Sequence, residues 1–250
     1  MDDQNNGITL VIVSYDRNST LKLLLKSLLK QKTNLPLEVY LINNWQGQTI
    51  KKSYWSTIGR LLLRFADVNV LNSSTNLGCS IRYSIANYAK YDTILFLDDD
   101  IELLSESFIQ KMYDFLQSKG SCDIVSSWCA TFRLDEVDYF NTDGSNFEIT
   151  DHEVEVDLAG PGVCMFRKEL LVKEVIDIPE NYRDVDNVWF SIVPTLVKSS
   201  KKYYFPSKGM LRFVKNHVHA MFAREDINSL KRQSTKELVS RGYQPIRGRV

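Results

Sequence analysis

Residues Tyr91 to Leu104 read YDTILFLDDDIELL. Thr93 to Leu97 has the apolar character and length of a buried strand, and it runs straight into Asp98-Asp99-Asp100. Like charges about 4 Å apart near a protein surface repel by roughly 4 kcal/mol, so a cation is the expected partner of this triplet. Hard oxygen ligands at the mouth of a strand suit Mg²⁺ or Mn²⁺, ions that keep waters and bind substrate phosphates. An EF-hand reading fails, because counting from Asp98 puts Leu103 at position six and Ile109 at position twelve, where a calcium loop needs Gly and Glu. An aspartyl-nucleophile phosphatase would use a similar strand end, but no second strand closes on a clear Ser/Thr with a Lys partner.

The same kind of break recurs along the chain. ITLVIVS (8–14) is a β-branched strand ending at Ser14-Tyr15-Asp16-Arg17, and LEVYLIN (37–43) ends at Asn43-Asn44. Leucines at 21, 24, 25, 28 and 29 mark a helix from Asn18 to Gln31, on one face at helical period. Helices are also expected at 53–66, 80–89, 105–118, from about Lys168, and at 186–196 with Pro194 bending or ending it. Strands are expected at 68–71, 123–128 and 163–166. This alternation predicts an α/β, doubly wound, mostly parallel sheet, with a small antiparallel excursion in the turn-rich stretch 129–157. Ligands of such sheets bind at the carboxyl ends of the strands. Four polar breaks therefore converge on one rim: Ser14–Arg17, Asn43-Asn44, the loop from Asn72 to Gly78, and the aspartates.

The 250 residues hold 44% hydrophobic and 25% charged residues with no net charge, as in an ordinary globular protein with ample core. The charge is unevenly spread: residues 1–207 carry 21 Lys+Arg against 28 Asp+Glu, and residues 208–250 carry 10 against 3. Bulk nucleic-acid binding is thereby excluded as an expectation, while the basic tail is a candidate electrostatic foot. One domain (1–224) with a basic extension (225–250) packed on or beside it is the economical organisation. In the tail helix, Ile227, Leu230 and Leu238 fall roughly on one side and Lys231, Arg232 and Lys236 elsewhere. Cys79, Cys122, Cys129 and Cys164 form no CxxC pair and read as buried thiols of a reducing compartment. The run Ile8–Val13 is too short to span a bilayer and follows acidic residues, so a cytoplasmic protein is expected, peripheral at the inner membrane face if the tail touches anionic lipid.

The ordered series VIVSYDR, LINN, NLGCSIR, FLDDD, GPGVCMFRKELL and DVDNVWFS resembles the family 2-type glycosyltransferases of the GT-A fold, over about residues 8–220. The N-x-G-x-x-x-R element followed by three aspartates is also similar to GT-A enzymes of the exostosin type. The resemblance implies a metal-dependent transfer of a sugar (a hexosyl or hexosaminyl unit) from a nucleotide-diphosphate donor, a UDP-sugar, to a glycan or lipid-linked hydroxyl acceptor in polysaccharide synthesis. Ser14, Tyr15, Asp16 and Arg17 would frame base and ribose, with Asp16 where many relatives carry Asn. Asn43 and Asn44 stand where relatives often have an Asp contacting uracil. Asn76, Gly78 and Arg82 would lie over ribose and diphosphate. Asp98 and Asp99 would also contact the nucleotide sugar, and Asp98, Asp100 and His219 (or His217) would hold Mn²⁺ or Mg²⁺. Gly160 and Gly162 would let backbone approach the donor sugar. Asp186 is the candidate base, with Asp184 the alternative because Asn187 departs from the commoner acid. Two other readings compete. A sugar-phosphate nucleotidyltransferase opens with a Gly-rich loop that SYDRNST lacks, and a catalytically inactive nucleotide-sugar-binding module would have lost the base.

Overall fold

The computed structural model describes residues 6–46, 60, 61, 64, 65, 67–133, 135–143, 152–214 and 224–248. Its first strand, β1 (Ile8–Ser14), is followed by α1 (Asn18–Leu28), β2 (Leu37–Asn43), β3 (Asp67–Asn72), α2 (Ile81–Ala86) and β4 (Thr93–Asp98). Then come β5 (Ile101–Leu103), α3 (Phe108–Gln117), β6 (Ile124–Ser126), β7 (Cys129–Phe132), β8 (Thr142–Asp143), β9 (Val154–Glu155), β10 (Leu158–Ala159) and β11 (Val163–Arg167). The chain closes with α4 (Lys173–Ile176), α5 (Asp186–Lys198), β12 (Lys202–Tyr204), β13 (Leu211–Phe213) and α6 (Glu225–Ser240).

Among the described residues the main sheet has eight strands in the order β3-β2-β1-β4-β11-β6-β12-β9. β3, β2, β1 and β4 run parallel, while β11 is antiparallel to both β4 and β6. The central strands β2, β1, β4 and β11 bury both faces, so their sequences are near-continuous apolar runs. Ile8, Leu10, Ile12, Leu95 and Leu97 face a core closed by α1 and α3. Val11, Ile94 and Phe96 face the opposite core, closed by α2, α5 and α6. The period-2 alternation of strand side chains makes this division.

Three features depart from the sequence-based expectation. The segment from Lys168 forms only a 3₁₀ turn (Lys168–Leu170) and the single-turn α4, since Val172 is extended and Pro179 excludes helix at the residue before it. Helix α5 passes through Pro194 and runs to Lys198; it ends at left-handed Ser199, where the Ser200 amide donates to the Pro194 carbonyl. β5 and β13 pair antiparallel, a long-range contact that local pattern did not announce. The excursion is antiparallel as expected, in the sheet β10-β7-β8. Most of the helix expected at 53–66 lies outside the described residues, of which Arg60, Leu61 and Arg64 are helical. Cys129 and Cys164 are buried, but Cys79 and Cys122 are only partly so.

The C-terminal helix docks on the sheet's second core. Its buried face is Ile227, Lys231, Ser234, Thr235 and Leu238, so Lys231 shares the apolar side instead of standing away from it. Past the helix, the fully buried Asp157 receives hydrogen bonds from Tyr243 Oη (2.7 Å), the Ile246 amide (2.9 Å) and the Phe132 amide (2.9 Å). A hydrogen bond to a charged group contributes about 1.5–3 kcal/mol, and without the phenol the Asp157 Oδ1 keeps only the Ile246 amide. Tyr243→Phe is expected to destabilise the protein by that amount in urea unfolding, and an unchanged midpoint would show that water replaces the phenol. Among the described residues no helix is long and apolar enough to cross a membrane.

Candidate active site

Parallel register aligns the expected rim. Ser14 pairs with Asn43, Asn43 with Asn72, and Val13 with Asp98, while the Asp98 amide donates to the Gly162 carbonyl at 2.7 Å. Strand order reverses between β1 and β4, which is where an open α/β sheet forms its ligand crevice. Asp98 and Asp100 flank that crevice, their side chains 36% and 18% exposed, against 5% for Asp99. Asp99 and Asp100 form the turn between β4 and β5, and the turn directs the Asp99 side chain inward.

Asp99 turns inward and organises the loop after β1. Its Oδ2 accepts from Ser14 Oγ (2.8 Å) and the Tyr15 amide (3.2 Å), and its Oδ1 lies 3.4 Å from Arg17 Nη1. The same nitrogen reaches Asp100 Oδ2 at 2.5 Å. Asp16 takes φ 52°, a region in which Asp and Asn are enriched. Burial pushes the Asp99 carboxyl up to about 7 against the pull of Arg17, with Asp100 adding repulsion. An unfolded Asp titrates near 3.9, so between about pH 4 and 7 the folded chain holds a proton that the unfolded chain releases, and stability falls as pH rises through that window. Asp99→Asn keeps the hydrogen-bond acceptor without the charge. In thermal scans from pH 5 to 8 in chelator, it should flatten a slope worth at most about 3 kcal/mol over that range; equal slopes would clear Asp99 of the effect.

Arg82 ties the second half of the site together. It is 5% exposed and donates through Nη1 to Asp98 Oδ1 (3.1 Å) and the Pro161 carbonyl (3.0 Å), and through Nε to the Cys79 carbonyl (3.1 Å). Nε also stands 3.5 Å from Asp186 Oδ2, which accepts from Tyr83 Oη at 3.2 Å. Burial alone would lower the guanidinium's affinity for its proton; Asp98 and Asp186 outweigh it, and the group is held well above its usual value. Burial raises the Asp186 carboxyl, against Arg82.

Asn44 is 2% exposed and pins the loop 76–78: it donates to Asn76 Oδ1 and the Gly78 carbonyl, both at 3.0 Å, and accepts from the Leu77 amide at 2.9 Å. Asn43 Nδ2 bonds Asn72 Oδ1 at 3.0 Å. Both asparagines therefore stitch the rim together, at the place where the resemblance puts the base. The open aromatic surface beside them is Tyr15 against Trp45, edge to face at 5.0 Å. Gly78 has φ +72°, and a Cβ there would come within 2.9 Å of Asp184 Oδ1. A Cβ on Gly162 would meet Asp98 Oδ2 at 2.5 Å, and one on Gly160 the Trp128 ring at 2.4 Å. Gly162 thus directly adjoins the acidic crevice, while Gly160 serves packing against Trp128.

Asp186, expected to meet an acceptor hydroxyl, is 4% exposed and turned toward Arg82 and Tyr83. The half-buried carboxylate at the rim is Asp184, packed on Gly78 and within electrostatic reach of Arg224. Asn187 is held by Tyr139, its Nδ2 donating to the phenol oxygen at 2.5 Å. Arg224, Tyr83 and Tyr139 escaped the sequence reading, because each reaches the site from a distant element and belongs to no motif. His217 and His219 lie outside the described residues; the described chain before them ends at Val214, whose amide donates to the Asp100 carbonyl at 2.7 Å.

Among the described residues no group of three His, Cys, Asp or Glu forms a ready-made metal cage. One or two carboxylates plus a substrate phosphate is a common Mg²⁺ arrangement, and Asp98 with Asp100 fits it. Asp100 Oδ1 is buried without a hydrogen-bond partner, and burial, then Asp98, pushes the Asp100 carboxyl up to about 6. A cation would relieve both.

A doubly wound sheet with an acidic strand end at its switch point and a polar rim is the architecture of the GT-A fold. The sequence model of Glycosyl transferase family 2 matches residues 9–171, and the chain belongs to that family. No curated protein matches it. Among solved structures it resembles S. aureus TarS (TM-score 0.52, 18% identity, covering 79% of this chain and 36% of that one). It also resembles TarS 1-349 (TM-score 0.52, 18% identity, 80% and 60%) and TarS 1-349 in complex with UDP (TM-score 0.51, 17% identity, 80% and 60%). The likeness is one of fold, and the chain spans less than two thirds of either TarS chain.

Proposed function

We propose that this protein transfers a sugar from a nucleotide-diphosphate donor, with UDP as the nucleotide, to a hydroxyl acceptor in glycan or polysaccharide synthesis. The observation that carries the reading is the registered line Asn72, Asn43, Ser14, Asp98 and Gly162 across one sheet rim, charged at its switch point and flanked by Tyr15 and Trp45. A UDP complex of TarS 1-349 supports UDP as the first nucleotide to try. In this reading the base stacks by Tyr15 and Trp45 and the diphosphate lies over Asp98 and Asp100. When bound there, Mn²⁺ or Mg²⁺ would neutralise diphosphate charge and assist its departure as a leaving group.

The chain's own residues do the rest. Arg82 clamps Asp98 to the GPG loop, and Asp99 holds Ser14–Arg17 in place. The acceptor oxygen attacks the anomeric carbon, the bond to the nucleoside diphosphate breaks, and Asp184 takes the acceptor's proton. Asp184 is preferred to Asp186 because it is half-buried at the rim, whereas Asp186 is enclosed with Arg82 and Tyr83. Peripheral contact with an anionic membrane would rest on α6 cations of which Arg232 and Arg241 already pair with Asp138 and Glu237, so flotation on anionic vesicles should be weak and salt-sensitive.

Calorimetric titration of UDP, GDP and CDP with and without Mn²⁺, on wild type and Asp100→Asn, tests the reading. Preferential UDP binding that needs Mn²⁺ and collapses in the variant is expected. Absence of any metal-dependent nucleotide binding would remove the metal-assisted reading.

A further inference from the structure

Lys231 lies on the buried face of α6 with 9% of its surface exposed. Its ammonium sits 4.8 Å from the centroid of the Tyr139 ring, and among the described residues it has neither a hydrogen-bond acceptor nor a salt-bridge partner. Burying a charge without a counter-charge is costly, and the face of one aromatic ring offsets only part of that cost. Burial accordingly holds this lysine below its ordinary proton affinity, with Asp186 the first charge opposing the shift. The position is next to the chemistry: Tyr139 Oη receives its hydrogen bond from Asn187, the residue after Asp186.

The patch continues outward. Tyr139 and Phe140 stand edge to face at 5.0 Å, Phe140 is 45% exposed, and the Arg232 guanidinium lies 4.9 Å from the Phe140 ring. Arg232 pairs with Asp138 at 3.5 Å, whereas among the described residues Lys231 has no carboxylate within ion-pair distance and feels Asp186 only from further away. An exposed ring beside a largely buried cation that lacks an ion-pair partner suits a sugar that carries a negative charge, with its apolar face on the ring and its anionic group toward the ammonium.

We infer that Tyr139, Phe140, Lys231 and Arg232 form the acceptor subsite, and that the acceptor bears an anionic group, phosphate or carboxylate, on or beside the sugar seated on Phe140. The inference rests on the glycosyl-transfer reading above and adds to it the chemical class of the acceptor. It also gives the basic C-terminal helix a part in the site: α6 and the excursion between β7 and β10 meet in one patch, cation on ring.

The test uses the full chain preloaded with UDP and Mn²⁺, so that the diphosphate position is filled, and titrates it with glucose 6-phosphate, glucuronate and glucose. At least one of the two anionic sugars should bind ten-fold or more tightly than glucose, and which one does so separates phosphate from carboxylate. Lys231→Met should abolish that advantage while UDP affinity is unchanged. Phe140→Ala, at an exposed position, should weaken all three sugars and leave their ratio intact. Equal binding of the three sugars by wild type, or an advantage that survives Lys231→Met, overturns the inference. Should Lys231→Met fail to fold, a salt series on wild type decides: a ratio that shrinks with salt supports an ammonium–anion contact, and a salt-independent ratio overturns it. Failure of UDP to bind, with the anion preference intact, counts against the transfer reading and not against the anion site.

Discussion

Replacing Asp184 by Asn is expected to lower the transfer rate by about 10²–10⁴-fold, the usual contribution of a positioned general base, with UDP affinity unchanged. The amide fills the same space against Gly78 and removes only the basicity. Asp186→Asn should behave differently. Asp186 Oδ2 accepts from Tyr83 Oη and faces Arg82 Nε at 3.5 Å in a buried setting, so its replacement unbalances a charge network and should reduce thermal stability along with activity. Single-turnover transfer rates and melting curves on both variants separate the two carboxylates. A fully active Asp184→Asn beside a well-folded, inactive Asp186→Asn would return the base to Asp186.

Arg82→Met is expected to have the largest effect on stability. Removing one partner of a buried ion pair leaves the other charge unpaired, at a cost of about 3–5 kcal/mol. For a domain of this size that corresponds to a melting-point drop of roughly 10 °C. The exposed share of Asp98 can be solvated once Arg82 is gone; Asp186, 4% exposed, cannot. Most of the loss should therefore be recovered in the double variant Arg82→Met/Asp186→Asn, in which neither buried charge remains. Thermal unfolding of the two single variants and the double gives the coupling directly. Strict additivity would mean that Arg82 acts instead through its bonds to the Pro161 and Cys79 carbonyls.

The two variants share an origin in the rim. ILFLDDD, VIVSYDR and LINN announced strand ends in the chain itself, because a parallel strand buried on both faces is a continuous apolar run and its polar end stands out from it. The division of labour within each end was not legible. Asp98, Asp99 and Asp100 are identical in composition, yet the turn after β4 points the middle one inward onto Ser14 and Arg17. Asn43 and Asn44 looked like base contacts, yet both hold backbone and neighbouring side chains in place. In DVDNVWFS the acid nearest the helix was chosen over Asp184, and packing buries that residue first.

Local periodicity and motifs taken in order suffice for the α/β class, the run of parallel strands, the family, and the set of polar strand ends that meet at one rim. Packing sets which carboxylates face out, joins Arg82 to Asp186 across 104 residues of chain as well as to Asp98, and buries Lys231 beside Tyr139. Each of these depends on what an element from elsewhere in the chain covers. Solvation and charge compensation are properties of the packed assembly, and no local stretch of residues carries them.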